Sequence, residues 1–144
     1  MNRKTLILLF PLLLLIFTAR AENDRSQTFG DYVVYYNALP TDVLQADVAG
    51  EYGITRSKFR GFITVSVQRK DGQPVSARIQ ASASNLNGQS KNLSLHQVKE
   101  GPAIYYIDDF RISNEETLKF SLKIQPENAD QPFNLKFSQQ FFTN

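Results

Sequence analysis

The stretch YGITRSKFRGF, residues 52–62, places Arg56, Lys58 and Arg60 at every second position. On an extended strand that spacing puts three cations on one face, the arrangement that would hold an anion or an acidic partner. The stripe also has plainer uses: a solvated face, neutralisation of nearby acids, or protection of an edge strand against aggregation. Gly61 decides between geometries, because a bulge there would send Arg56, Lys58 and Phe59 to the opposite face. A second candidate is the pair Tyr105-Tyr106. On a strand one ring faces inward, where its hydroxyl needs a hydrogen-bond partner, and the other faces outward as a possible partner anchor.

Catalytic chemistry finds little to work with. His96 is the only histidine and cysteine is absent, which rules out a thiol nucleophile and leaves little room for a histidine-based triad or a zinc site of the usual ligands. His96 alternates with Leu95 and Gln97 and is expected to face solvent. Asp108-Asp109 and Glu115-Glu116 are paired in sequence, but neighbours on a strand point to opposite faces, which separates carboxylates that a hydrolase would need a few ångströms apart. With Asn114 they crowd one region, yet the spacing matches no calcium loop. The seven glycines are scattered and build no phosphate loop. No cofactor and no metal is expected.

The elements that must position these residues are strands. Phe59 to Arg69 alternates, with Phe59, Ile63, Val65 and Val67 on one face and Arg60, Thr64, Ser66 and Gln68 on the other. VSARIQASAS follows with Val75, Ala77, Ile79, Ala81 and Ala83 inward and Ser76, Arg78, Gln80 and Ser82 outward. A three-residue loop at Lys70-Asp71-Gly72 would set Val67 against Val75 and Ile63 against Ile79, which brings Arg78 beside Thr64 as a fourth cation of the stripe. Further alternation in DYVVYYN, SLHQV, AIYYI, LKFSLKI and FNLKFSQQFF gives about seven strands. The expected fold is an all-β immunoglobulin-like antiparallel sandwich with one short helix, with a small β-barrel as the alternative. The helix falls in LPTDVLQADVAGEYG, with Thr41 as N-cap, Leu44, Val48 and Tyr52 four apart, and Gly53 at the C-terminus. Its expected role is to plug one end of the sandwich.

The first residues read as an export signal: Arg3 and Lys4, then an apolar run from Leu6 to Phe17, then Ala19-Arg20-Ala21. That run, about 18 Å as a helix, falls short of a hydrocarbon core of about 30 Å. The expected organisation is a signal peptide at 1–21, cleaved after Ala21, and one domain at 22–144, soluble in the periplasm. The mature chain then keeps 13 basic residues, sixteen less Arg3, Lys4 and Arg20, against 14 acidic ones. It has no global field to draw it to nucleic acid or to a membrane. Without cysteines its stability must come from packing, for which eleven Phe and six Tyr are available.

The runs FGDYVVYYNAL, DVAGEYGITRSK, NLNGQ, AIYYIDDF and FSQQFF resemble the bacterial family known as domain of unknown function 4426, from gram-negative bacteria, over essentially the whole mature chain. The most specific parts are YGITRSK and NLNGQ. The resemblance implies periplasmic export and a compact β-rich fold, and it carries no functional residue. The favoured function is a non-catalytic binding or accessory module for a protein or glycan partner, with Arg56, Lys58, Arg60, Arg78, Tyr105 and Tyr106 as its candidate residues. A carboxylate-based hydrolase and an apolar-ligand carrier are the alternatives, and oligomeric state is not legible.

Overall fold

A computed structural model describes residues 25–144; the expected signal peptide and its cleavage site lie outside the described residues. The strands are β1 (Ser26–Phe29), β2 (Tyr32–Pro40), β3 (Arg60–Arg69), β4 (Ala77–Asn85), β5 (Ser90–Leu93), β6 (His96–Glu100), β7 (Ala103–Arg111), β8 (Glu116–Pro126) and β9 (Phe133–Phe141). They form a five-stranded sheet, ordered β1-β2-β3-β7-β6, and a four-stranded sheet, ordered β5-β4-β8-β9. All pairings between them are antiparallel. The chain is an all-β sandwich, not a closed barrel.

Alternation decides which side chains enter the core. On β8, Leu118, Phe120, Leu122 and Ile124 are buried while Lys119, Ser121 and Lys123 are exposed, so one face of the strand meets the other sheet. Packed aromatic rings run through an otherwise aliphatic interior. Phe120 stacks on Phe137 at 4.8 Å, Phe110 meets Phe120 at 5.5 Å and Phe141 edge-on at 5.7 Å, and Phe29 stacks on Phe133 at 4.8 Å. Each such pair adds about 0.5–1.5 kcal/mol beyond area burial, which suits a domain without disulfides.

Nine strands appear among the described residues where seven are legible in the alternation. Ser26–Phe29 adds one at the edge. The strand expected around SLHQV, with Leu93, Leu95 and Gln97 on one side, is interrupted: Leu93 ends β5 and His96 begins β6, and the two lie in different sheets. The chain changes sheet at Ser94-Leu95, where the Ser94 N–H donates to Asp108 Oδ2 at 2.8 Å.

The expected hairpin of β3 with β4 begins and then fails. Arg69 N–H donates to the Gln73 carbonyl, Val75 N–H donates to the Val67 carbonyl, both at 2.9 Å, and Gly72 supplies a left-handed φ of 89°. Beyond Val75 the chain leaves β3 and crosses to the other sheet, pairing with β8 from Ala77↔Pro126 to Asn85↔Leu118. Ile79 therefore faces Ile124, and Ile63 faces Ala38 on one side and Asp108 on the other. Both hydrogen-bonding edges of β3 are already occupied by β2 and β7, so β4 has no place beside it.

The expected helix is also divided. Thr41–Val43 forms a 3-10 turn, Leu44 is extended, and a six-residue helix α1 runs from Ala46 to Glu51. Its residues do more than close an end of the sandwich. Ala49 and Ile54 pack on Phe62 and Ile107, with Leu39, Tyr52, Val98 and Tyr105 around them. Phe62 and Ile107 lie on the outer face of the five-stranded sheet, opposite in parity to the core residues Ile63 and Tyr106. The helix and the residues after it give that sheet a second small core on its outside.

Candidate functional site

The loop between α1 and β3 is fastened by a threonine. Thr41 is fully buried; its hydroxyl donates to the Ser57 carbonyl at 2.9 Å and accepts the Ser57 N–H at 2.8 Å. This clamp holds residues 54–59 as an irregular segment, so Arg56 and Lys58 are not on a strand. Only Arg60 is, and the regular three-cation stripe expected from the sequence does not form. Gly61 is not the cause, for it pairs regularly with Pro40 and Phe110. A Cβ there would meet Phe110 at 2.7 Å and Phe141 at 3.2 Å, so even a methyl group would force these rings to shift.

The three cations have separate surroundings. Arg56 is exposed and its guanidinium donates to the Asp42 carbonyl at 3.1 Å. Lys58 is exposed, with Nζ 5.2 Å from the ring centroid of Phe59. Phe59, expected inward, precedes the strand and is itself 55 % exposed. Arg60 is half-buried and donates from Nε and Nη2 to Asp109 Oδ2 at 2.8 and 2.7 Å, the sole ion pair among the described residues. That guanidinium already has its anion.

The tyrosine pair divides as its parity requires. Tyr106 is buried and its hydroxyl accepts the Ala77 N–H at 2.8 Å, tying β7 to the start of β4 across the two sheets. Tyr105 points to the outer face and is half-buried against the small second core. Beside it, burial and the carboxylates of Glu100 and Glu51 push the Tyr52 phenol up to about 12. Asp108 and Asp109 also face opposite ways: Asp109 holds Arg60, and Asp108 accepts the N–H groups of Ser94 and Asp109. Both are committed to structure. His96 is exposed at the start of β6, and no cluster of three or more His, Cys, Asp or Glu could hold a metal among the described residues.

Arg78 is displaced from the stripe by the crossing of β4, and this exposes a surface that the expected pairing concealed. It lies on the outer face of the four-stranded sheet with Gln80, Ser82 and Ser84 of β4. Ser90 and Asn92 of β5 flank them on one side. On the other lie Thr117, Lys119, Ser121, Lys123 and Gln125 of β8, then Asn134, Lys136, Ser138 and Gln140 of β9. These fifteen side chains include four cations, five amides and six hydroxyls, and no carboxylate, aromatic or aliphatic group. An open depression of about 490 Å³ lies at the centre, bordered by Gln80, Asn92, Lys123, Asn134 and Lys136. Lys119, Lys123, Lys136 and Arg78 have no carboxylate partner among the described residues.

The domain of unknown function family DUF4426 matches residues 26–144. The chain belongs to this family. The crystal structure of a DUF4426 family protein from Pseudomonas aeruginosa is 37 % identical, covers 81 % of this chain and 93 % of its own, and superposes with a TM-score of 0.73. More distant is FetP of uropathogenic Escherichia coli, recombinantly expressed in the periplasm of Escherichia coli, at 10 % identity, 81 % and 92 % coverage and a TM-score of 0.60. A copper-bound variant of FetP is 9 % identical over 81 % and 93 %, with a TM-score of 0.59. At such identities the FetP likeness to this DUF4426 chain is one of fold. No curated protein matches the chain.

Proposed function

We propose that this DUF4426 protein is a non-catalytic binding module of the periplasm that holds an acidic partner on the outer face of its four-stranded sheet. The observation that carries this reading is the composition of that face: four cations among fifteen polar side chains with no acid between them. The mature chain has 13 basic and 14 acidic residues, so taking four cations for one face leaves nine against fourteen elsewhere. Such a separation of charge produces a local field that a near-neutral chain otherwise lacks, and it favours an anionic surface docking in a preferred orientation. Hydroxyls and amides between the cations can donate to phosphate, sulfate or carboxylate oxygens. The leader-like residues 1–21 and the fold shared with the periplasmically expressed FetP support the location.

Copper does not follow from the FetP likeness. A copper site draws on imidazole, thiolate and thioether donors, and this chain has one histidine, no cysteine and one methionine, Met1. Hydrolysis is disfavoured because Asp108 and Asp109 point apart and are both hydrogen-bonded. An apolar-ligand carrier is disfavoured because packed aliphatic side chains and stacked phenylalanine rings take the interior.

The test is retention on a heparin column, comparing the wild type with two variants. Lys119→Ser, Lys123→Ser, Lys136→Ser should elute at clearly lower salt with unchanged unfolding. Arg56→Ser, Lys58→Ser should elute with the wild type. Equal elution of the first variant would remove the sheet face as the anion-binding surface.

A further inference from the structure

The outer face of the five-stranded sheet has a different character. α1 and the residues after it cover the half of it around Phe62 and Ile107. The uncovered half forms a groove of about 200 Å³ in which Tyr35 and Tyr105 stand with Asn37, Thr64 and Ser66. Register fixes this arrangement. Tyr35 pairs with Ser66 and Asn37 with Thr64 across β2 and β3, and Tyr105 comes from β7 next to Tyr106, the partner of Val65. All five side chains project from strands in the interior of the sheet, so the groove is rigidly built. We propose that this groove binds one pyranose ring of a neutral glycan.

Three observations converge on that ligand. First, Tyr35 is 40 % exposed, an unusual position for a large ring on a strand with a buried face, and Tyr105 is half-buried beside the same groove. Tyrosines offer an apolar ring face to the C–H side of a sugar and a hydroxyl to its rim. Second, the Thr64 and Ser66 hydroxyls and the Asn37 amide nitrogen have no side-chain hydrogen bond within the protein among the described residues; the Asn37 oxygen accepts the Ala38 N–H at 2.9 Å. Half-buried donors left open between two rings suit the vicinal hydroxyls of a sugar. Third, no carboxylate lines the groove. Arg25 borders it as its one cation: Nη2 donates to the Gln139 side chain, the guanidinium lies 5.6 Å from the centroid of the Phe137 ring, and Nη1 is buried without a hydrogen-bond partner. The volume falls below the roughly 300–1,000 Å³ of pockets for drug-sized ligands, which fits a single ring of a chain that continues into solvent. This site is independent of the cationic face on the opposite sheet.

The test uses two defined neutral trisaccharides, chitotriose and maltotriose, titrated against the mature protein. The chain has no tryptophan, so its intrinsic emission reports directly on tyrosines. At least one trisaccharide should bind saturably and shift that emission. Tyr35→Ala and Ser66→Val should each weaken binding by roughly tenfold or more, the size of one lost stacking or hydrogen-bonded contact set. Lys119→Ser, Lys123→Ser should leave it unchanged. Because Tyr105 also supports the small second core, Tyr105→Ala is read only alongside its unfolding curve, and the exposed Tyr35 carries the decision. Absence of saturable binding by both sugars, or equal affinity in Tyr35→Ala and Ser66→Val, would overturn the proposal. A heparin result does not bear on it.

Discussion

Thr41→Val should be among the more costly single-atom exchanges in this fold. Valine keeps the shape of threonine and replaces the hydroxyl by a methyl group, so packing is retained while two hydrogen bonds are lost. The hydroxyl is the donor to the Ser57 carbonyl at 2.9 Å and the acceptor of the Ser57 N–H at 2.8 Å, and Thr41 is 0 % exposed. Two ordinary bonds amount to about 2 kcal/mol net, rising toward 4 kcal/mol where the abandoned partners stay dry. Ser57 is half-buried, so water can reach part of it and the expected loss is about 2–3 kcal/mol. For a domain of this size that corresponds to a fall in Tm of roughly 6–12 °C. Urea unfolding followed in parallel by far-UV circular dichroism and tyrosine emission gives the free energy, with coincident transitions establishing two-state behaviour. A loss under about 0.5 kcal/mol, less than one ordinary hydrogen bond, would show that the clamp does not hold the 54–59 segment. Heparin retention should not change, since Thr41 is remote from the cationic face.

Tyr106→Phe removes the acceptor of the Ala77 N–H at the crossing from β3 to β4 and should cost about 1–3 kcal/mol in urea unfolding, without altering heparin elution. Gly61→Ala drives a methyl group to 2.7 Å from Phe110, a ring already packed on Phe120 and Phe141. The expected loss is about 1–3 kcal/mol, and a melting temperature equal to the wild type would contradict that close contact. Tyr52 has a phenol raised to about 12 in the folded protein from 10.0. The folded state therefore keeps a proton that the unfolded state releases, so stability is whole below pH 10 and is lost as pH rises from about 10 to about 12. Tyrosinate absorbance should show one late-titrating phenol, and Glu100→Gln should bring it down by removing the carboxylate beside it.

Much of the architecture is written in side-chain parity. The inward sets Leu118–Phe120–Leu122–Ile124 and Val65–Val67 are buried as alternation requires, and the separation of Asp108 from Asp109 follows from the same rule. What alternation lacks is the identity of the partner strand. Val67 opposite Val75 is correct locally, yet β4 pairs with β8 because β2 and β7 already flank β3. This single misassignment put Arg78 in the wrong company and concealed the cationic face, although Lys119, Lys123 and Lys136 are all outward by parity. Parity also presumes a strand. At Arg56 and Lys58 the Thr41 clamp, a contact between residues sixteen apart, overrides a pattern that looks extended. Phe62 shows a third case: its outward parity is correct, and its burial comes from a helix packed on the outside of the sheet.

The position of the cations within the four-stranded sheet bears on why they are there. Protection against edge-to-edge pairing places lysines on edge strands, and only Lys136, on β9, meets that description. Arg78 is on β4 and Lys119 and Lys123 on β8, both interior strands with partners on each side. Neutralisation of neighbouring acids fails as an account too, because the face contains none. Solubility is served as well by mixed signs, and a single-sign field is costly unless it is spaced. The spacing of these cations is uneven: Lys119 and Lys123 stand four residues apart on one strand, roughly 13 Å at about 3.3 Å per residue, beyond a screening length of about 8 Å at physiological salt, whereas Lys123 is a diagonal neighbour of both Arg78 and Lys136, and Lys136 also of Lys119, at roughly 7–8 Å. The diagonal pairs repel one another, and a single extended anion crossing β4, β8 and β9 would relieve that repulsion by meeting all four charges at once. A face that holds like charges side by side and rewards a multivalent ligand is better explained by recognition than by solvation.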